Sequence, residues 1–178
     1  FRQTVIIWIG QTLKADLFVR VAGGRDIDYQ YTLPADRVKD LRKIFGVAAV
    51  DLFRAQDISY NDKPAVLGSG DFQALSRYGN LVIKSGPNAQ ELYSWMVNQD
   101  QAIVSESFAL KHEIGMGDVL FLETPRGPVE LKVAAVYYDY SRERGYIIVD
   151  RSTFVKYYND TDVNSFVLYL SDKRELEN

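Results

Sequence analysis

A strand, helix, strand order stands at both ends of the chain and is missing between them, and this pattern constrains the fold more than any other feature. Near the N-terminus, 15–21 alternates Leu17, Val19 and Val21 with Asp16, Phe18 and Arg20 and runs into Gly23-Gly24, which predicts a strand entering a turn. A helix is predicted over 34–46. Pro34 suits its first position, Asp36 its positive end, and Val38, Leu41 and Ile44 form an apolar face, with Arg42 and Lys43 in the last turn and Gly46 closing it. The Val- and Phe-rich stretch 47–53 then returns as a strand. The C-terminal end repeats the order, with a strand over 146–149, a helix over 152–158 and a strand over 165–170. Right-handed crossovers put the strands of such units in one sheet with their helices on one face. The predicted fold is therefore α+β, a split strand-helix-strand sandwich.

The rest of the chain hangs on this frame. Phe1, Val5, Ile6, Trp8, Ile9 and Leu13 recur at helical spacing, so 1–13 is expected to be an amphipathic helix. The middle, 57–144, switches to short strands punctuated by Gly, Asn and Pro, with two short helices, and reads as an inserted, strand-rich subdomain. Asn61-Asp62 predicts a hairpin turn, and Pro125-Arg126-Gly127-Pro128 joins a second hairpin of 119–123 with 129–136. In 88–99, Leu92, Trp95 and Met96 share one helical face, and Ser105 is placed to cap a helix over 105–112.

At 178 residues the chain is long enough to bury a core, roughly 70% of its unfolded surface. Its 21 Lys and Arg against 24 Asp and Glu, net charge -3, lack the basic field that a phosphate backbone needs, so nucleic acid is not expected as a partner. With no cysteine, disulfides, thiolate nucleophiles and cysteine metal sites are excluded, and an oxidising compartment is permitted. The longest apolar runs are far shorter than the ~20 residues of a membrane span. Phe1 opens the chain without Met, basic n-region or cleavage pattern, which reads as a segment of something longer.

Chemical motifs are few. His112, the sole imidazole, sits in the charged helix end Lys111-His112-Glu113 and is expected to be a solvated surface residue. Gly115-Met116-Gly117-Asp118 lies between a helix and a strand, the wrong order for a nucleotide fingerprint, and is expected to be a turn. Asp160, Asp162 and Asn164 have the opening spacing of a calcium loop, but Ser165 and Ser171 stand where its Gly and Glu belong. Asp26 with Asp28, and Asp139 with Glu143, are expected on the polar surface. No metal, cofactor or catalytic residue is assigned. One connection stands out, 137–145, where Tyr138, Asp139, Tyr140, Arg142 and Arg144 bring together the side chains that dominate protein contacts. It is the candidate interaction loop, placed at a partner or subdomain boundary.

Four strings in fixed order, AIVSESFALK over 102–111, GMGDVL over 115–120, VAAVYYDYS over 133–141 and GYIIVDRSTF over 145–154, resemble the extracytoplasmic, MacB-like periplasmic core domain of FtsX-like ABC transporter permeases. The opening resembles it too, with 1–8 like a helix leaving a membrane span, 15–17 like the first strand and 33–47 like the first crossover. Ala135 stands where that family often has Gly. The resemblance implies a porter-like subdomain of 1–56 with 145–178 and an inserted sabre-like subdomain of 57–144. It implies a periplasmic domain of an inner-membrane permease rather than an enzyme. Its partners would be the transmembrane helices of the same polypeptide, a cytoplasmic ATP-binding subunit, a periplasmic protein and a second copy in a dimer. Such a domain relays motion from ATP hydrolysis to periplasmic work, termed mechanotransmission, for export or release of a lipoprotein, lipid or other substrate. The residues leave two other readings open, a stand-alone periplasmic binding or scaffold domain and a small hydrolase using His112 with Ser105 or Asp139.

Overall fold

The computed structural model describes residues 15–20, 29–139 and 144–171. Within them run β1 (Leu17–Arg20), β2 (Val47–Tyr60), β3 (Lys63–Gly70), β4 (Ile83–Ser85), β5 (Gln101–Ser105), β6 (Val119–Thr124), β7 (Gly127–Tyr137), β8 (Tyr146–Asp150) and β9 (Ser165–Leu170). The helices are α1 (Phe72–Tyr78), α2 (Ala89–Met96), α3 (Glu106–His112) and α4 (Arg151–Tyr158). The helix expected over 1–13, the Gly23-Gly24 turn, and Asp26 with Asp28 lie outside the described residues. No helix among the described residues is long and apolar enough to cross a membrane.

The strands pair in the order β1-β9-β2-β3-β8-β5-β7-β4, with β6 also on β7. Strand β2 carries this order through. Its first half, ending at Phe53, pairs antiparallel with β9, and from Arg54 to Tyr60 it pairs antiparallel with β3. At ~3.3 Å per residue its 14 residues reach about 45 Å, enough to serve two sheets in turn.

The first expected unit is split as predicted, with β9 between β1 and β2. Its crossover is different, because two 3₁₀ turns, Ala35–Arg37 and Lys39–Lys43, replace the α-helix. Val38, Leu41 and Ile44 recur every three residues, which matches three residues per turn better than 3.6. Val38 packs with Val50, Val163, Phe166 and Leu168 to form the small core of this part.

The second unit has its three elements where expected, yet its strands are not neighbours. Strands β2 and β3 separate β8 from β9, and β8 pairs instead with β3, parallel, and β5, antiparallel. Both faces of β8 are apolar, Ile147 and Val149 on one and Ile148 on the other, so it is stabilised at the centre of a sheet. On one side of that sheet Phe108 of α3 and Phe154 of α4 pack on Leu67, Val104 and Leu131. On the other, Phe72 of α1 and Leu92, Tyr93 and Met96 of α2 pack on Ile103 and Ala135.

In β5 the two cores take alternate residues, whereas β7 up to Val133 gives Val129, Leu131 and Val133 to the first core and leaves Glu130 and Lys132 exposed. The register then slips so that Ile103 faces Ala135, leaving Ala134 as an extra residue and sending Ala135 and Tyr137 to the second core. Ala135 is fully buried, and Gly86 makes room for it, since a Cβ at Gly86 would come within 2.8 Å of the Ala135 Cβ. A methyl where the resembling family often has Gly is thus accommodated from across the sheet edge.

Local signals are otherwise followed closely. Asn61 and Asp62 take φ of 48° and 59°, the left-handed pair of a two-residue hairpin, and Pro125-Arg126 turn the β6–β7 hairpin. Asp71, Asn88, Ser105 and Asp150 each cap a helix through a side-chain oxygen. Trp95 departs from the expected face: Leu92 and Met96 are buried, whereas Trp95 is 60% exposed.

Gly145, with φ of +83°, ends the β7–β8 connection directly against α3, where a Cβ would lie 2.8 Å from the Phe108 backbone. Gly145→Ala is expected to cost about 2 kcal/mol or more, from left-handed strain and overpacking. Urea denaturation measures it, and a midpoint equal to wild type would show that α3 can move aside.

Candidate functional site: the joint within β2

Where β2 changes partner, Arg54 gathers the surrounding chain. Its Nε donates to Asp160 Oδ2 at 2.8 Å, and its Nη1 donates to the Tyr29 carbonyl at 3.0 Å, to the Ala55 carbonyl and to Asn164 Oδ1 at 3.2 Å. Asn164 completes the knot, accepting from the Ala55 amide at 2.8 Å and donating to the carbonyls of Tyr29 and Tyr31 at 3.0 and 2.9 Å. The Arg54–Asp160 pair is shielded, with 13% and 28% of the side chains exposed. Asp162 accepts from the Thr32 hydroxyl at 3.0 Å. The carboxylates and amide with calcium-loop spacing are therefore spent on holding the segment before β9 to β2 and to 29–33.

A second set of polar bonds crosses the same gap. Arg42, on the second 3₁₀ turn, pairs at 2.5 Å with Asp71, which caps α1, and the Asp71 amide donates to Asp51 Oδ1 of β2 at 2.7 Å. Asp150, buried at the head of α4, accepts from the amides of Phe72 and Asn98 at 3.1 and 3.0 Å. One carboxylate thus fixes the starts of two helices and the turn after α2. These ties were not anticipated; charged residues beside strand ends look like ordinary surface until the sheet order is known.

The interaction-loop residues are only partly brought together. Tyr138 is held by its amide on the Val82 carbonyl at 3.0 Å, with Lys84 Nζ 5.9 Å from its ring centre. Arg144 pairs with Asp57 at 3.1 Å on the exposed surface, and its carbonyl accepts from Lys111 Nζ at 2.8 Å. Asp139 is half-buried at the end of the described part of the loop, while Tyr140, Arg142 and Glu143 lie outside the described residues. Just beyond the loop the Tyr146 hydroxyl meets that of Tyr29, whose carbonyl is bound by Arg54. The base of the loop is thereby linked to the joint.

His112 and Ser105 form no catalytic pair. Ser105 is fully buried, and its hydroxyl accepts from the Phe108 amide at 3.2 Å and the Tyr146 amide at 2.9 Å while bonding Ser107 at 3.0 Å. The helix α3 separates it from His112 by about 10 Å. Nor is His112 the solvated residue expected: its ring packs 4.4 Å from that of Phe108 and 4.9 Å from that of Tyr60, with Nε2 buried and unbonded. The apolar side of α3 continues one turn beyond what its charged end suggested. Gly115 to Asp118 is a turn, as expected, tied by the Gly115 amide on Asp118 Oδ2 at 2.7 Å.

The chain is 27% identical over 179 residues to an uncharacterized ABC transporter permease protein of Mycobacterium tuberculosis, an alignment covering 96% of this chain and 20% of that protein. In structure it matches the periplasmic region of MacB from Actinobacillus actinomycetemcomitans with a TM-score of 0.61 and 16% identity, over 88% of this chain and 74% of that one. The extracellular domain of the ABC-type transporter YknZ from Gram-positive bacteria gives a TM-score of 0.60 at 12% identity, over 90% and 85% of the two chains. This is the MacB periplasmic fold. The resemblance read from the four ordered strings is borne out at the level of fold, as is the α+β class. No family model matches the chain. The chain spans only a fifth of the permease's length, 20%, so it corresponds to one part of such a protein.

Two outcomes follow from the joint and its neighbourhood. Arg54→Ala strips Asp160 and Asn164 of their shared donor and is expected to cost about 2 kcal/mol in thermal or urea unfolding; a loss below ~0.5 kcal/mol would mean that the knot is ornamental. Burial lowers the pKa of His112, with Lys63 and Lys111 adding to the effect. A folded pKa below the unfolded value of ~6.5 means that the unfolded chain takes up the proton first, so this stability is present above pH ~6.5 and is lost as pH falls. His112→Phe is expected to remove that part of the acid sensitivity when unfolding is compared between pH ~8 and ~5, and an unaltered difference would contradict it.

Proposed function

We propose that the chain is the extracytoplasmic domain of an ABC transporter permease, a moving part that couples cytoplasmic ATP hydrolysis to work outside the membrane. The observation that carries this reading is the alignment of 96% of the chain with a permease, together with the MacB periplasmic fold. The proteins it resembles are transporter parts rather than enzymes, and the Ser105 hydroxyl is committed to backbone bonds. The transmembrane helices of the same polypeptide and a cytoplasmic ATP-binding subunit are the partners this reading requires; a dimer and a periplasmic protein partner are proposed with it. The location proposed is the periplasmic side of an inner membrane, for export or release of a lipoprotein, lipid or other substrate.

The joint supports a mechanical role. Two packed bodies share the strand β2, and polar bonds span the rest of the gap, an arrangement that transmits a push along the strand while allowing a change of angle. For the division into a porter-like part, 1–56 with 145–178, and a sabre-like part, 57–144, the change of partner within β2 favours the first boundary. The pairing of β8 with β3 and β5 favours a second boundary after α4. Tyr138, Asp139, Tyr140, Arg142 and Arg144 remain the proposed contact loop, with Arg144 and Asp57 exposed at its edge.

Arg42 and Gln73 line one cleft of about 200 Å³ between the 3₁₀ turns and α1. Cysteines at both positions, in a stretch that has none of its own, give a direct test in the complete transporter. A membrane-impermeant bis-maleimide added to intact cells is expected to bridge Arg42→Cys and Gln73→Cys and to lower ATP turnover several-fold against the unbridged variant. Reaction only after permeabilisation would overturn the location, and bridging without any change in turnover would overturn the mechanical role.

A further inference from the structure

The other face of the first sheet opens on a cleft of about 280 Å³ that none of the preceding roles uses. Phe18 and Asp51 are both register partners of Val167, so the three lie side by side across β1, β9 and β2 on the face opposite Val50 and Leu168. Two residues along β9, Tyr169 stacks on Tyr78 of α1 with ring centres 4.5 Å apart, and Tyr93 of α2 completes the aromatic lining. Aromatic rings thus supply much of the lining, and their π systems attract cations.

Asp51 makes no direct ion pair among the described residues, although Arg151 and Arg42 lie near enough to favour its charged form. Its Oδ1 accepts the Asp71 amide at 2.7 Å, and its Oδ2 takes no hydrogen bond among the described residues. Of the cations nearby, Arg42 binds Asp71 and the Val50 carbonyl, and Arg151 binds the carbonyls of Thr161 and Asp162 through Nη2, while its buried Nη1 takes no hydrogen bond among the described residues. Burial pushes the Asp51 carboxyl up to about 7, the Asp71 carboxylate adding to this while the Asp71 amide, Arg151 and Arg42 oppose it. Burial holds Tyr93 and Tyr169 above the usual tyrosine value, with the charge of Asp51 acting the same way, joined at Tyr169 by Asp16.

We propose that this cleft binds an organic cation, an ammonium or guanidinium group on a short alkyl stem, with Asp51 as its counter-charge and the rings of Phe18, Tyr78, Tyr93 and Tyr169 as its walls. Aromatic faces hold cations within ~6 Å, and a carboxylate attracts them more strongly in a shielded cleft than in water. The volume falls just under the ~300 Å³ at which small-molecule pockets begin, which suits a group the size of one side chain. That group comes either from a free alkylamine or from a lysine or arginine of a protein partner. A bound cation favours ionised Asp51, so affinity rises as pH climbs through the Asp51 titration.

The 178-residue chain is titrated with n-butylammonium and with n-butylguanidinium, followed by calorimetry and tyrosine fluorescence. Saturable binding is expected, about tenfold or more tighter at pH ~8 than at pH ~5.5, with 1-butanol unable to compete. Asp51→Asn, checked for an intact thermal transition, is expected to abolish the pH dependence and weaken binding at least ~10-fold. Phe18→Leu, at a position 61% exposed and so tolerant of change, is expected to weaken binding several-fold. Competition by a lysine-bearing pentapeptide assigns the cation to a protein side chain, and binding of the free amines alone assigns it to a small molecule; both sustain the site. Absence of binding by either amine, equal competition by 1-butanol, or unchanged affinity in Asp51→Asn each overturns it.

Discussion

The architecture depends on one exchange of partners, in which β2 leaves β9 after Phe53 and takes up β3 at Arg54. A strand that serves two sheets must leave backbone groups near the switch without ladder partners, and buried groups of that kind are costly. Arg54 and Asn164 answer this locally. Between them they bind the carbonyls of Tyr29, Tyr31 and Ala55 and the amide of Ala55. With Asp160 neutralising Arg54, the knot can sit largely out of water and still be satisfied. It also brings 29–33 and 160–164, far apart in sequence, to the same strand.

Either side of this knot the chain packs separately. The small sheet buries Val38, Val50, Val163, Phe166 and Leu168, whereas the larger sheet has a core on each face. Polar and aromatic contacts fill the space between, Arg42 with Asp71 and Tyr169 on Tyr78. Surfaces joined in this way separate at less cost than an apolar interface of the same size, since water can replace their partners. That property suits a domain which relays movement, and it leaves clefts such as the one that Asp51 lines.

Much of this was legible along the chain. The hairpin at Asn61-Asp62, the turn at 115–118, the cap at Ser105 and the elements of the last unit are set by neighbours a few residues away. The crossover at 34–46 was misread because a spacing of three suits either helix type over so short a run, and His112 because its ring partners Tyr60 and Phe108 include one from a distant hairpin. The interaction-loop residues could be picked out by type, but their surroundings depend on where Tyr29, Lys84 and Asp57 arrive.

By itself the sequence determined the class of fold, the turns and caps, and the resemblance to a permease domain, because these rest on local propensity and on the order of motifs. The tertiary structure alone decided that β8 sits between β3 and β5 rather than beside β9, that Asp160, Asp162 and Asn164 brace a joint, and that Asp51 faces an aromatic cleft. Those outcomes turn on which surfaces meet across long stretches of chain. Periodicity marks a face as apolar or polar, and only packing settles what that face touches.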